Sequence, residues 1–341
     1  MPKTEFNLMP TIIGSMPHRD PVKACKIISR YLTELPAWPQ LPMRSYRELM
    51  TAQYAEGFPG VSITEEGVSV SHPEGWEHEL EALYGAYITG DAAKYALSED
   101  SATGFYAFQT NHPEHPLGVK GQVEGPVSWG LSVKDELDTP IVYDDVLAEA
   151  AAKMLSLKVT WQEALLREIS PNTVMFIDEP ALTSYGSAYL PLSKEKIQSL
   201  LTEVLGAVKG VKGVHCCGNT DWTILTELST DIISFDAYNY ANSLALYPDD
   251  IRRFVQRGGA IAWGIVPNTN KGVEEETASS LRDRLEEAIA PFTRDGLDFR
   301  AILRQSLITP SCGMAYMGED AAERLLEIMV ELTTKMRSRY L

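Results

Sequence analysis

The sequence predicts a single (β/α)8 TIM barrel with a long insertion after the second strand. Three observations carry that prediction. Short β-rich runs alternate with amphipathic stretches, the pattern of βαβ units that build a parallel sheet. The runs number eight. The length, 341 residues, suits an α/β barrel, a class that often exceeds ~250 residues as one domain. An open doubly wound sheet is the competing arrangement.

In chain order the strand runs are residues 11–14, 60–64, 119–124, 173–178, 212–216, 232–236, 260–265 and 302–308. Amphipathic stretches at 143–168, 193–208, 220–228, 248–256, 274–290 and 319–337 read as helices between and after the later strands. Residues 65–118 lie between the second and third strands and carry Trp76, His78, Tyr84, Tyr87, His112 and His115. A segment this long reads as a lid or a binding insertion. There is no fixed-period repeat and no Gly/Ser linker, so residues 1–341 are expected to form one domain.

Hydrophobic residues make up 44% of the chain and charged residues 23%, ordinary values for a globular protein with an ample core. No apolar run reaches the ~18 residues of a membrane span. The first ten residues lack the apolar core of a signal peptide, so a cytoplasmic location is expected. A formal charge of −17 repels nucleic acid and anionic membranes at long range, so neither is expected as a partner. Cys25, Cys216, Cys217 and Cys312 are too few for a disulfide framework in such a chain; they read as thiols or metal ligands.

Barrel enzymes place their chemistry at the C-terminal ends of the strands. Gly14 and Ser15 follow the first run, and Glu65 and Glu66 the second. Asp178 and Glu179 end the fourth, His215, Cys216 and Cys217 the fifth, and Asp236 the sixth; Cys312 follows the eighth. His215 and Cys217 stand two apart, so on a strand both point to one face while Cys216 points away and packs. Imidazole plus thiolate is a donor set that suits zinc. Asp178 and Pro180 also fit a helix start, with acid and proline in its first turn. Ile13 and Ser15 could meet a ligand carboxylate, Trp129 could offer a flat surface to a ring, and Glu65 or Glu66 could hold an amino group. His112 and His115 have near-metal spacing, but prolines flank them and no thiol is close; they read as solvated loop.

Taken in order, Ile13-Gly14-Ser15, Gly125-Pro126-Val127, Ile177-Asp178-Glu179-Pro180-Ala181-Leu182, His215-Cys216-Cys217, Asp231-Ile232-Ile233-Ser234-Phe235-Asp236 and Pro310-Ser311-Cys312-Gly313 resemble the C-terminal catalytic barrel of cobalamin-independent methionine synthase. The wider superfamily includes uroporphyrinogen decarboxylase. The resemblance spans nearly the whole chain. It implies zinc held by His215, Cys217, Asp236 and Cys312. It implies homocysteine held by Ile13, Ser15, Asp178 and a glutamate after the second strand, Glu65 or Glu66. The expected reaction is methyl transfer to the homocysteine thiol, giving methionine.

Three departures from that family bear on the donor. One barrel is present where the family has two, Asp236 stands where the family has a glutamate, and residues 264–268 lack its catalytic histidine. Methyltetrahydrofolate needs an acid at N5 before its methyl can leave, whereas a methylcorrinoid does not. Methylcobalamin, or a methylated corrinoid protein as partner, is therefore the expected donor, with methyltetrahydrofolate the alternative. Other readings are methylation of another thiol such as coenzyme M, a uroporphyrinogen-decarboxylase-like enzyme, and a non-catalytic corrinoid- or zinc-binding protein.

Overall fold

The computed structural model describes residues 5–294 and 296–341. Nine strands are present among them: β1 (Met9–Pro10), β2 (Val61–Thr64), β3 (Gly67–Val70), β4 (Val119–Glu124), β5 (Thr173–Asp178), β6 (Val211–Cys216), β7 (Ile232–Phe235), β8 (Ala260–Val266) and β9 (Ser306–Pro310). Seven form one sheet in the order β1-β9-β8-β7-β6-β5-β4, with every pair parallel. The sheet curls into a barrel-like α/β fold. Strands β4, β5, β7, β8 and β9 are buried along their whole length, as parallel strands covered on both faces must be.

The second strand is where the expectation fails. Residues 60–64 do not enter the parallel sheet. Val61–Thr64 pairs antiparallel with Gly67–Val70 as a separate hairpin, with Thr64 opposite Gly67. Its alternating burial, half-buried Val61 and Ile63 against exposed Ser62 and Thr64, marks a ribbon with one wet face. The place beside β1 and β4 is taken instead by residues 36–40. Gln40 bridges Ser15 and Ala37 bridges Lys120, both in parallel sense. The bonds are Gln40 N to Gly14 O at 3.0 Å, Met16 N to Gln40 O at 2.9 Å and Lys120 N to Pro36 O at 2.8 Å. These five residues link the two edges of the sheet without forming a regular strand.

Other boundaries shift less. The first strand is only Met9–Pro10, although Thr11 N still bonds to Ile308 O at 3.0 Å. Residues 302–304 belong to a helix, Phe299–Arg304, and the strand begins at Ser306. The 143–168 stretch forms the long helix Asp145–Ile169, started by Asp144, whose carboxylate accepts from Val146 N and Leu147 N at 2.9 Å each. The helices Lys194–Ala207, Pro248–Gln256, Ala278–Arg294 and Glu319–Tyr340 fall close to their expected places. The 220–228 stretch keeps only one turn, Thr223–Thr226. Residues 65–118 hold the second half of the hairpin and the helices Trp76–Thr89 and Thr103–Phe108, so the segment is partly structured. No helix is long and apolar enough to cross a membrane among the described residues.

Inside the curl, side chains alternate along each strand. On β4 the inward set is Lys120, Gln122 and Glu124, all buried. The sheet interior is therefore apolar at its N-terminal end, where Phe6, Met9, Leu35, Val174, Phe176 and Leu307 cluster, and polar toward its C-terminal end.

Candidate active site at the C-terminal mouth

A cavity of about 230 Å³ opens at the C-terminal mouth. Ile13, Ser15, Asp178, His215, Cys217 and Cys312 all line it. Strand register explains the grouping: Asp178 of β5 lies beside His215 of β6, and Glu124 of β4 lies beside Asp178. Cys217 comes two residues after His215 and faces the same cavity. Cys216 turns into the main hydrophobic core instead, where burial pushes its thiol up to about 12. Cys312 arrives from the loop after β9. That loop closes tightly on Ser15 because residue 313 is glycine: a Cβ there would meet Ser15 Oγ at 2.2 Å.

His215 is fixed and neutral. Its Nδ1 lies 2.9 Å from Ser234 Oγ, while its buried Nε2 has no hydrogen-bond partner. Burial, with help from the charge of Lys120, pulls the ring down to about 3. A neutral imidazole with a free Nε2 is in the form that binds a metal. The Cys312 thiol interacts with Cys217 and lowers the Cys217 value, while that contact and burial push Cys312 up. One thiol of the pair therefore ionises in preference to the other.

Asp178 is 4% exposed and its Oδ1 is buried with no partner. Burial raises its carboxyl, and the charge of Lys120 opposes that rise. Lys120 is fully buried; its ammonium donates to Ile13 O at 2.6 Å and Gln122 Oε1 at 3.2 Å, and burial lowers its value. Glu179 does not cap its own turn. Its carboxylate accepts from Val127 N and Ser128 N, both at 2.9 Å, and from Ser128 Oγ at 2.6 Å, so it caps the neighbouring helix Pro126–Ser132.

Four expected residues lie outside the cavity lining. Glu65 and Glu66 sit exposed in the turn between β2 and β3, because their strand left the barrel. Trp129 is not a free platform: it is fully buried, donates Nε1 to Thr51 O at 3.0 Å and packs edge-on against Phe58. The helix that starts directly after β4 turns it inward. Asp236 caps the helix Ala237–Leu244, and Asn239 engages both its oxygens, through N at 2.9 Å and Nδ2 at 2.7 Å.

Sequence reasoning missed Lys120, Ser234, Gln40, Glu48 and Tyr316. Glu48 lines the cavity, is 1% exposed, and accepts from Arg44 Nη1 at 2.9 Å and Leu41 N at 3.3 Å. Burial raises its carboxyl. Lys120 had a readable signal: lysine, glutamine and glutamate alternate on β4 and mark a polar inner face.

The donor set His215, Cys217 and Cys312 has the chemistry of a zinc site, and the unbonded Nε2 of His215 supports that fit. As placed, however, no group of three or more His, Cys, Asp or Glu is arranged to hold a metal ion among the described residues.

No family model matches the sequence, and no curated protein matches it. Among solved structures, the fold is similar to that of a B12-independent methionine synthase from Shewanella sp. W3-18-1 in complex with selenomethionine. The likeness covers 97% of this chain and 98% of that one, with a TM-score of 0.59 and 14% sequence identity. At that identity the likeness establishes a shared fold, and the chain is an α/β protein of the same architecture as that methionine synthase.

Proposed function

We propose that the protein is a methyltransferase that methylates the thiol of homocysteine. The observation that carries this reading is the single cavity shared by two thiols, a neutral imidazole and a buried carboxyl with an unbonded oxygen. The bound selenomethionine of the Shewanella protein is an amino acid of the same class as the proposed product. The lining contains no Arg or Lys, so a substrate with many carboxylates, as in a uroporphyrinogen-decarboxylase-like reaction, lacks partners.

Asp178 receives the substrate ammonium, and Ser15 donates its hydroxyl to the substrate carboxylate. Glu48 takes the place expected for Glu65 or Glu66: it is the glutamate that follows the segment between β1 and β4, and it lies in the cavity wall. His215, Cys217 and Cys312 would hold zinc, which supplies a Lewis acid that keeps a thiol ionised at neutral pH. A catalytic zinc commonly has three protein ligands and one place for substrate. Asp236 is then not needed as a fourth ligand, in keeping with its hold on Asn239.

The donor we propose is methylcobalamin or a methylated corrinoid protein. Val266 is fully buried where the resemblance expects an acid. His78 and His112, of residues 65–118, are the histidines that could replace that acid, and neither lines the cavity: His78 stands exposed beside Glu81, and the His112 ring bonds to Pro113 O at 2.9 Å. A net charge of −17 is also a poor host for a polyglutamate tail. Chain length offers no support, because the Shewanella protein, matched over 98% of its length, is named B12-independent.

The test is methionine formation from homocysteine with methylcobalamin and with methyltetrahydrofolate, side by side, on protein of measured metal content. About one zinc per chain, lost on Cys312→Ser, and turnover with methylcobalamin alone are expected. Turnover with methyltetrahydrofolate alone overturns the donor. No methylation from either overturns the reaction. Unchanged zinc affinity in Cys312→Ser overturns the metal site.

A further inference from the structure

We propose that Tyr316 is the contact surface for the methyl donor, a specificity residue for the donor and not for the thiol substrate. This rests on the methyl-transfer reading above and adds a residue to it.

The cavity has two chemically different ends. Glu48, Asp178 and His215 are 1%, 4% and 3% exposed and form its closed, polar end. Leu49 and Tyr316 are 41% and 85% exposed and stand at its open end. An aromatic ring that remains so exposed at a cavity mouth leaves a large apolar face in water, where a flat ligand can cover it.

The reaction geometry assigns that face. The thiolate lone pair forms the new S–CH3 bond while the electron pair of the old bond leaves with the donor. That displacement is in line, so donor and thiol approach the methyl carbon from opposite sides. The substrate ammonium finds its partner, Asp178, at the closed end. The donor must therefore enter from the open end and pass Tyr316. Both candidate donors carry a large ring system beside the transferable methyl, a corrin or a pterin.

The backbone that carries the ring is held on both sides. Tyr316 lies four residues after Cys312 on the loop between β9 and the last helix. Ser311 Oγ donates to Asn268 Oδ1 at 2.8 Å, Asn268 Nδ2 donates to Gly313 O at 2.8 Å, and Met314 N donates to Ser15 O at 3.0 Å. Gly318 N closes the far end on Asn270 Oδ1 at 3.0 Å. A pinned backbone removes the cost of ordering the loop when a ligand covers the ring.

The experiment compares Tyr316→Ala and Tyr316→Phe with the wild-type protein. Donor KM is measured at saturating homocysteine, and homocysteine affinity is measured by calorimetry without donor. Tyr316→Ala should raise the donor KM about fivefold to tenfold, as loss of an aromatic contact predicts. Tyr316→Phe should stay near wild type, and homocysteine affinity should not move in either variant. An unchanged donor KM in Tyr316→Ala, with the wild type turning over, overturns the assignment alone. A parallel fall in homocysteine affinity overturns it too, since the loop would then be shaping the whole cavity. A wild type that methylates homocysteine from neither donor overturns the underlying reaction as well.

Discussion

A carboxyl group sealed in a protein interior with one oxygen unbonded gains from any cation that reaches it. Asp178 is in that state: its Oδ1 has no partner and burial raises its value. A substrate ammonium supplies the missing bond and the opposite charge together. Asp178→Asn keeps the shape and removes the charge, so homocysteine affinity should fall by about 2–5 kcal/mol. Zinc content should be unaffected, because the three proposed ligands are untouched. Calorimetric titration checks the first expectation and metal analysis the second. Equal homocysteine affinity in the variant would leave Asp178 as a strand-end residue with no ligand. Of the cavity-lining residues named from the sequence, His215, Cys217, Cys312 and Asp178 stood out by their type at a strand end, and Ile13 and Ser15 by their place in the Ile-Gly-Ser segment. Ser234 and Gln40 have no such mark, since serine and glutamine occur anywhere. Their roles come from what faces them across the sheet.

At the scale of elements, β5, β7 and β8 were legible because a strand buried on both faces is a continuous apolar run. The segment between β1 and β4 was not. Pro36-Ala37-Trp38-Pro39-Gln40 holds two prolines in five residues, and proline normally argues against a sheet strand. The run at 60–64 was misassigned for a related reason: it is a strand, but its alternating burial belongs to an exposed ribbon. The long helix Asp145–Ile169 has its own consequence. Lys158, fully buried on it, donates to Glu56 O at 2.7 Å and Tyr95 O at 3.3 Å, tying the helix to two loops. Burial pulls its ammonium down to about 8 from an ordinary 10.5. Between those values the unfolded chain holds a proton that the folded chain has shed, so this residue makes the fold more stable as pH rises through that window. Wild-type protein should gain urea resistance relative to Lys158→Met between pH 8 and 10. Parallel urea midpoints across that range would show that the lysine is already solvated in the native state.

Over the whole molecule, one hydrophobic cluster reaches from Leu8 to Met336 and is fed by helices from both ends of the chain. The last helix, Glu319–Tyr340, shows how the ends meet: Thr333 Oγ1 donates to Leu8 O at 3.3 Å, and Arg337 Nε donates to Asn7 O at 2.6 Å. Strands β4 to β9 share parallel registers of four to six residue pairs, whereas residues 36–40 are joined to their neighbours by two isolated bridges. Local opening is easiest where the fewest ladder bonds must break together. In native-state hydrogen exchange, the amides of Met16 and Gln40 should therefore exchange faster than those in the middle of β5 and β6. Equal protection at all four places would mean that this junction opens only with the rest of the molecule.

Gln40 belongs to that junction and to the cavity wall at once. Its side chain donates to Gln53 Oε1 at 2.6 Å, and Gln53 in turn donates to Ser101 O at 2.6 Å, in the segment between β3 and β4. Opening of the junction would therefore displace part of the cavity wall. A ligand that fills the cavity should in turn slow amide exchange at Met16 and Gln40 and, through the two glutamines, around Ser101 in the segment between β3 and β4.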